Sequence, residues 1–331
     1  MAYSSIVKPT DYFNSLLYTG NGSTNALTGV GFQPDWVWIK QRGGTTWHQL
    51  YDSVRGVTKT IISNENQAEE TRSSGLTAFG TDGFTVGSDN NANGSSNTYV
   101  SWNWLAGTTG SGTTTGSGTG KAYSYSVSTV SGFSIMKYVG NGTAGHTIPH
   151  QLGVKPNLII AKRLDATENW NTYDSVNGAT KYLILDTTAS VAASGGRWND
   201  TEPTSSVFTL GDSGNVNAND SEHIAYCFAE KQGYSKFGSY QGNSSTDGTF
   251  VYLGFKPAFV IIKNASDGNN WVLLDNKRNT FNVQNTSLAP NTNDADSTST
   301  SNYGTDFLSN GMKMKTSGSY YGRIGIKWFW N

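Results

Sequence analysis

A ten-residue pattern of Gly, an apolar residue, any residue, Pro, any residue, four apolar residues and Lys occurs three times in this chain. The copies read GFQPDWVWIK (31–40), GVKPNLIIAK (153–162) and GFKPAFVIIK (254–263), so Pro34, Pro156 and Pro257 are equivalent. An aromatic residue and a glycine-containing turn precede each pattern, at 18–22, 138–142 and 240–244. An apolar stretch from Trp47, Trp170 or Trp271 to an Asp follows each. Three landmarks repeated in one order predict three diverged copies of a single unit.

The ends of the copies set the predicted boundaries. Alternating aromatic strands close them at 98–104, 222–228 and 323–330. We therefore predict an N-terminal arm and first domain at 1–106, a second domain at 122–231 and a third at 232–331. The Gly/Ser/Thr-rich segment at 107–121 is typical of a flexible linker. It predicts that the first domain moves relative to the others, and that trypsin cuts near Lys121 before it cuts near Lys231.

The composition favours strands over helices. Only 14% of the residues are charged, against about 25% in an average soluble protein, while 12% are aromatic and 39 are Gly. The strand after each proline is apolar on both faces, which predicts that it is covered on both sides. We predict an all-β protein of three tandem β-sandwich domains with three separate cores, and helix in under about a tenth of the residues. A three-bladed propeller is the alternative, although each copy is about twice as long as a usual blade.

Charge and hydropathy exclude several classes of function. The net charge is −1 and the sequence has no basic run. No positively charged region is therefore expected that would bind nucleic acid. A membrane span and a secretory signal are not expected, because no run of 18 apolar residues exists and the N-terminus lacks a basic-apolar leader. Cys227 lies in an alternating apolar run, so we predict a buried thiol without a disulfide. No pattern indicates a cofactor.

Candidate metal ligands are sparse. His146 and His150 lie four residues apart, but Pro149 between them favours a solvated turn over a helical metal pair. The Asp/Asn-rich stretches at 88–97 and 291–300 do not match a regular calcium loop, so we predict polar loops and leave Ca²⁺ binding open. We predict no metal site elsewhere.

Catalysis is not predicted. No nucleophile elbow with matched acid and histidine is visible. Glycoside cleavage needs two acidic residues that face each other. The sequences around the candidates do not recur among the copies; the candidates are Glu69, Glu70, Asp82, Glu202 and Asp212.

Ligand recognition is expected where the copies differ, because a residue present in every copy usually serves the fold. The repeated Trp47, Trp170 and Trp271 are therefore predicted core residues, with sugar stacking as the alternative. The stretches at 194–203 and 317–322 differ between copies, and they predict Trp198, Tyr320 and Tyr321 as exposed aromatic residues that bind a ligand.

Several segments resemble a known family. They are YTGNG, GFQPDWVWIK, YDSVRG, GLTAF with TDGFTVG, and YVSWNW in copy one, and the run from PTSSVFTLG to FVYLGFKPAFVIIK further on. The chain resembles, over nearly its whole length, a repeat-domain family of tailed bacteriophages of marine bacteria and cyanobacteria. Copy three departs from the family pattern where YDSVRG becomes LDNKRN, which puts a shared site at this loop in doubt.

The resemblance implies concanavalin-like or jelly-roll sandwich domains in a virion structural protein that is not an enzyme. A tail fibre, appendage or adhesin that contacts a host surface carbohydrate is the expected role. A purely architectural capsid decoration or tail-assembly protein and a polysaccharide depolymerase are the alternatives. The expected partners are other virion proteins and further copies of the chain, in a virion assembled from protein made in the host cytoplasm.

Overall fold

A computed structural model describes residues 4, 6–321 and 325–331, without the side chains of 321 and 325–329. Strands account for 41% of the chain and helices for 7%, which confirms the all-β prediction and the low helix content. Two short 3-10 helices lie at Pro9–Asp11 and Ser319–Tyr321. Within the described ranges, no helix is both long and apolar enough to cross a membrane.

The first copy forms a six-stranded and a three-stranded antiparallel sheet. Its strands are β1 (Phe13–Thr19), β2 (Asn25–Thr28), β3 (Trp36–Gln41), β4 (Gln49–Asp52), β5 (Lys59–Ile62), β6 (Glu70–Thr71), β7 (Leu76–Gly80), β8 (Gly83–Val86) and β9 (Thr98–Trp104), with α1 (Asn90–Asn93) before β9. The larger sheet has the order β1-β9-β3-β4-β5-β6 and the smaller one β2-β8-β7.

The second copy and the segment before it form an eight-stranded and a three-stranded sheet. The strands are β10 (Thr108–Thr113), β11 (Thr115–Gly116), β12 (Ala122–Ser128), β13 (Phe133–Val139), β14 (His146–Pro149), β15 (Leu158–Arg163), β16 (Asn171–Asp174), β17 (Lys181–Ile184), β18 (Ala192–Ala193), β19 (Val207–Leu210) and β20 (Glu222–Phe228). The helices α2 (Gly195–Trp198) and α3 (Gly214–Asn217) flank β19. The orders are β10-β12-β13-β20-β15-β16-β17-β18 and β11-β14-β19.

The third copy forms a four-stranded, a three-stranded and a two-stranded sheet. Its strands are β21 (Ser235–Tyr240), β22 (Phe250–Tyr252), β23 (Phe259–Asn264), β24 (Val272–Asp275), β25 (Thr286–Ser287), β26 (Ser297–Thr298), β27 (Thr305–Leu308), β28 (Gly311–Met314) and β29 (Gly325–Trp330), with α4 (Thr300–Tyr303) before β27. The orders are β21-β29-β23-β24, β22-β28-β27 and β25-β26.

The strands after the three prolines are equivalent, as predicted. β3, β15 and β23 each lie between the last strand of their copy and the strand that ends in Asp. Their first residues pair in the same register, Trp36 with Trp104, Leu158 with Phe228 and Phe259 with Trp330. Each strand starts two residues after its proline, and the glycine three residues before that proline has a positive φ, at 31, 153 and 254.

The central strand of each large sheet is buried on both faces because a second layer covers one of them. In copy one, Val37 and Ile39 of β3 belong to one apolar cluster with Phe84 and Val86 of β8. Corresponding clusters join the large and small sheets of the other two copies. The prediction of cover on both sides of this strand is confirmed for the described side chains of β3, β15 and β23.

Each copy thus has a core between its own sheets, as predicted, but the other faces of the large sheets share a fourth core, so the copies are not separate. This core contains residues of all three copies. Trp36 stacks on Tyr226 with ring centroids 4.3 Å apart, Phe13 lies 5.5 Å from Phe259, and Trp104 lies 5.7 Å from Trp330. Trp104 and Trp330 end the equivalent strands β9 and β29, so residues at one repeated position pack against each other across copies, which the sequence of one copy does not reveal.

Equivalent backbone hydrogen bonds close the three copies into a ring. The carbonyl groups of Arg42, Leu164 and Ala265 occupy the same position after β3, β15 and β23. They accept from the N–H groups of Asp296, Glu69 and Val191 at 2.7, 2.7 and 2.9 Å, respectively. Copy three therefore donates to copy one, copy one to copy two, and copy two to copy three.

The segment expected to be a coil is largely strand, which corrects the linker prediction. β10 pairs with β12, and β11 pairs with β14. Gly110 and Gly112 lie opposite Tyr125 and Tyr123, whose rings cover the space that a side chain at the glycines would fill. The glycines that suggest flexibility therefore serve a paired strand, and this pairing attaches the segment to the sheet of copy two.

We expect Gly112→Ala to loosen this pairing. A methyl group at 112 would lie 2.7 Å from the hydroxyl oxygen and 2.8 Å from the adjacent ring carbon of Tyr123, so the ring must shift. Trypsin should then cut after Lys121 faster than in the wild type. Gly43→Ala is the control, because nothing lies within 4 Å of a methyl group at 43. Equal cleavage rates in all three proteins would show that the strand does not depend on the Gly–Tyr pairs.

Candidate functional site

The turn after each Asp strand is the most polar repeated feature, and its charges are buried. One carboxylate oxygen of Asp52 accepts from the backbone N–H groups of Val54 and Arg55, and the other accepts from the Arg55 side chain at 2.5 Å. Asp275 and Arg278 repeat this arrangement, also at 2.5 Å. The change from YDSVRG to LDNKRN therefore keeps the ion pair in copy three.

These turns also connect the copies. The Tyr226 hydroxyl of copy two donates to Asp52 of copy one at 2.7 Å, and the Trp102 indole of copy one donates to Asp275 of copy three at 3.3 Å. Burial, followed by the charge of Asp52, raises the pKa of Tyr226. The turn in copy two has Asn177 in place of the arginine, and its amide donates to Asp174 at 2.8 Å. The repeated carboxylates thus bind other groups of the protein, as expected of residues that stabilise the fold rather than take part in a reaction.

The predicted equivalence of the three tryptophans is wrong by one residue in copy one. The register of β4, β16 and β24 makes His48, not Trp47, the residue equivalent to Trp170 and Trp271. The backbone N–H groups of these three residues donate to Asn64, Asp186 and Asn291 at 2.8, 2.8 and 3.0 Å. Trp170 and Trp271 are buried in the shared core. Trp47 is half-buried, with the Arg72 guanidinium 5.0 Å from its ring centroid.

The lysine that ends each repeated pattern is buried. The ammonium groups donate to backbone carbonyls of neighbouring loops, Lys40 to Gln41 and Gly44, Lys162 to Arg163 and Ala166, and Lys263 to Thr188, Asp267 and Asn269. Burial lowers the pKa of each to about 8. The Lys263 bond to Thr188 joins copies three and two, so this position also stabilises the ring.

We expect the free energy of unfolding to rise as the pH increases from 8 to 9. The native lysines lose their protons near pH 8, whereas unfolded lysine does so near 10.5. Between these two pKa values the unfolded chain binds more protons than the native chain. The free energy of unfolding therefore increases with pH by at most about 1.4 kcal/mol per lysine and pH unit. Above pH 9 to 10, Cys227 and the buried tyrosines lower the free energy of unfolding as the pH rises, because burial raises their pKa values.

Urea denaturation at several pH values measures this slope. Lys162→Met should reduce the slope by about the contribution of one lysine, while Lys256→Met, at an exposed position, controls for the loss of a charge. A slope that is the same in the wild type and Lys162→Met would contradict the prediction.

The histidines and the cysteine are buried and belong to the fold. Burial lowers the pKa of all four histidines, that of His223 to about 4. His146 lies in β14, where its ring nitrogens bond Asn217 and Thr114 at 2.9 and 2.7 Å. His146 and His150 are both fully buried, so the predicted solvated turn is wrong. Burial raises the pKa of the Cys227 thiol, as expected for a core cysteine. Within the described residues, no group of three or more acidic, histidine or cysteine side chains could hold a metal ion.

The acidic residues considered for glycoside cleavage mostly serve local structure. Glu69 pairs with Arg55 at 3.0 Å, and Glu70 pairs with Arg72 at 2.7 Å. Asp82 accepts from backbone N–H groups at Gly29 and Gly31. Glu202 accepts from Lys155, Tyr173 and the Ala179 N–H at 2.7 Å each. Asp212 lies next to Gly196 on the loop after β19.

Of the predicted ligand-binding aromatics, Trp198 is not available. It is 1% exposed and packs edge-on against Tyr173 and Phe208, because α2 turns its ring into the core of copy two. Tyr320 is half-buried and lies 5.4 Å from the ring of Tyr303. The side chain of Tyr321 lies outside the described residues. A tryptophan in a loop-like stretch carries no sequence signal that separates a core anchor from a surface platform.

The Asp/Asn-rich stretches form capped turns. Asp89 caps α1 by accepting from the Asn91 N–H. Asp296 binds Arg42 and Arg278 at 2.9 and 2.8 Å, so this stretch contributes an ion pair between copies three and one.

A cleft of about 620 Å³ lies between copy one and the β10–β12 hairpin. Its volume lies within the range of ligand pockets. Its walls are mostly uncharged and are formed by Gln33, Asp35, Ser53, Val54, Leu105, Gly107, Thr109, Gly110, Ser111, Ser124 and Tyr125. Asp35, the only charged residue of the lining, is 5% exposed, and its carboxylate accepts from Ser53, Ser126 and the Ala106 N–H. Sequence reasoning missed this cleft, because it exists only where the hairpin meets copy one.

One family model matches residues 8–331, with the description "Domain of unknown function (DUF7483)", and the chain therefore belongs to this family. The match extends over all three copies without a break. No curated protein and no solved structure matches the chain.

Proposed function

We propose that this member of the DUF7483 family is a virion structural protein of a tailed bacteriophage that is not an enzyme. In this proposal, three diverged β-sandwich copies form one rigid block of a tail appendage. The closed ring is the observation that carries the proposal: the buried carboxylates, arginines and lysines of the repeated motifs bond other protein groups. Catalysis needs such groups free in a cleft, whereas a structural block needs them satisfied.

The architecture suits a particle outside a cell. A shared aromatic core, buried ion pairs and backbone bonds between copies stabilise the chain without a disulfide. The phage-family resemblance of the repeated motifs supports the same role. Contact with a host surface carbohydrate belongs to the proposal, but it requires residues other than Trp198, whose ring is buried.

The burial of Trp198 favours the purely architectural role at that position. An adhesin needs exposed aromatic platforms; Trp198 is buried and Tyr320 is half-buried, and exposed aromatic side chains lie elsewhere in copy three, for example at Tyr252 and Phe281. A block that binds other virion proteins needs only a rigid surface for the partner to contact, and the surface around the cleft beside β10 is a candidate.

A cryo-EM map of the phage particle, with mass spectrometry of its proteins, tests the proposal. The chain should be found in the particle and fitted as one block. Its absence from purified particles would overturn the virion role. Adsorption of the purified protein to host cells then separates the adhesin from the architectural component, and polysaccharide chain length should stay unchanged. Depolymerisation that one Asp or Glu substitution abolishes would replace the proposal with an enzyme.

A further inference from the structure

Strand β10 ends the eight-stranded sheet and leaves an unprotected edge. It lies beside β12 at the end of the sheet order, and among the described residues no strand pairs with its other side. Five of its six residues are exposed. Natural sheets protect such edges with proline, lysine or a bulge. The sequence TTGSGT of β10 contains no proline or charge, and its pairing with β12 is regular.

The direction of the backbone groups on β10 follows from one bond. The Thr114 N–H donates to the Lys121 carbonyl at 2.7 Å, which continues the β10–β12 ladder. In an antiparallel pair, alternate residues bond the neighbouring strand and those between them face away. Thr109, Ser111 and Thr113 therefore direct their N–H and carbonyl groups to the open side. Across the described ranges, these three backbones make no hydrogen bond outside the ladder.

The open edge lies beside the cleft. Thr109 and Ser111 of β10 and Ser124 and Tyr125 of β12 line it on one side, and Gln33, Ser53, Val54 and Leu105 of copy one line it on the other. The cleft therefore lies over one face of the β10–β12 pair, and the open edge borders it. The Asp35 charge is bonded to neighbouring groups, so the described lining offers no free charge to an ion. A polar, uncharged edge beside an uncharged cleft suits a single extended strand.

We propose that β10 is a docking edge for an extended, uncharged polypeptide segment of another protein, which adds a ninth strand to this sheet beside the cleft. Its backbone would pair with the groups of residues 109, 111 and 113, which recur about every 7 Å along the edge. A saccharide lacks alternating N–H and carbonyl groups at this repeat. A charged segment would lose solvation without gaining a partner. The inference goes beyond the proposed function, since it states how a partner protein is held.

Ser111→Pro is the decisive variant. Its N–H faces away from β12, so proline removes no bond of the native sheet, as is usual on edge strands. It removes the central donor of the edge and obstructs an added strand. Ser111→Ala is the matched control, because it removes the hydroxyl group and keeps the N–H. Both variants should unfold at the wild-type temperature within a few degrees.

Binding is measured with peptides selected from a random display library on the purified full-length chain, followed by calorimetry with the synthetic peptides. We expect uncharged peptides that bind the wild type and Ser111→Ala equally, and Ser111→Pro at least about tenfold more weakly. Failure to select any peptide, or equal affinity for Ser111→Pro, would overturn the inference. An equal loss in Ser111→Ala would indicate recognition of the hydroxyl, as by a saccharide. A dimer of the free chain that Ser111→Pro dissociates would assign the edge to a second copy instead. The peptide assay does not depend on the particle, so it fails or succeeds separately from the virion role.

Discussion

Replacing Asp52 by Asn is expected to destabilise the protein by about 3 kcal/mol, because it breaks a buried ion pair. Asn keeps the oxygen that accepts from the Val54 and Arg55 N–H groups. Its amide nitrogen would face two donors, the Arg55 guanidinium and the Tyr226 hydroxyl, in place of the second carboxylate oxygen. Arg55 is 1% exposed and would keep only Glu69, at 3.0 Å, as an acidic partner.

The equivalent substitution in copy two is the matched control. Asp174 accepts from the same backbone positions, but its third partner is the neutral Asn177. In Asp174→Asn the amide of Asn177 can rotate and offer its oxygen, which a guanidinium cannot do. We expect a loss of about 1 kcal/mol there. Urea unfolding of both variants measures the difference, and equal losses would mean that the buried charge does not determine the stability of the turn.

The sequence predicted local structure well because local structure follows from local chemistry. The Gly–Pro pattern predicts a positive φ and then a strand, and both are present in all three copies. Apolar residues on both faces of β3 predict two covering layers, and these exist. What covers the second face is a contact between copies, and no periodicity within one copy encodes the identity of a distant partner.

The errors have two origins. Trp47 lies five residues before Asp52, whereas Trp170 lies four before Asp174, so the spacing already separates the two tryptophans, and the pairing of β3 with β4 agrees with it. The glycines at 110 and 112 indicate a coil until Tyr125 and Tyr123 are known to lie opposite them. For Trp198, the neighbouring turn residues suggest a surface loop, while the space between Tyr173 and Phe208 decides its burial. These last two outcomes depend on residues outside the local segment.

Trp170→Ala is expected to cost about 3–5 kcal/mol, the usual loss for a large buried aromatic residue. Trp170 is fully buried in the shared core, and its indole donates to the Ile62 and Glu65 carbonyls of copy one at 2.9 and 3.2 Å. The substitution therefore leaves a cavity and two acceptors without this donor at the contact between copies. Trp47→Ala, at the tryptophan that the sequence pattern groups with Trp170, should cost only about 1 kcal/mol through lost contact with Arg72.

Chemical denaturation followed by tryptophan fluorescence and circular dichroism distinguishes these outcomes. Because the core is shared, both probes should report one transition in the wild type, and Trp170→Ala should move it as a whole. Trp170→Phe keeps one aromatic ring but loses the donor and part of the buried volume, so the loss should be smaller than for Trp170→Ala, at about 1–2 kcal/mol. If one copy of the Trp170→Ala protein unfolds separately while the other two keep the wild-type stability, the copies fold independently. A loss for Trp47→Ala as large as for Trp170→Ala would contradict the register that places His48 in the core.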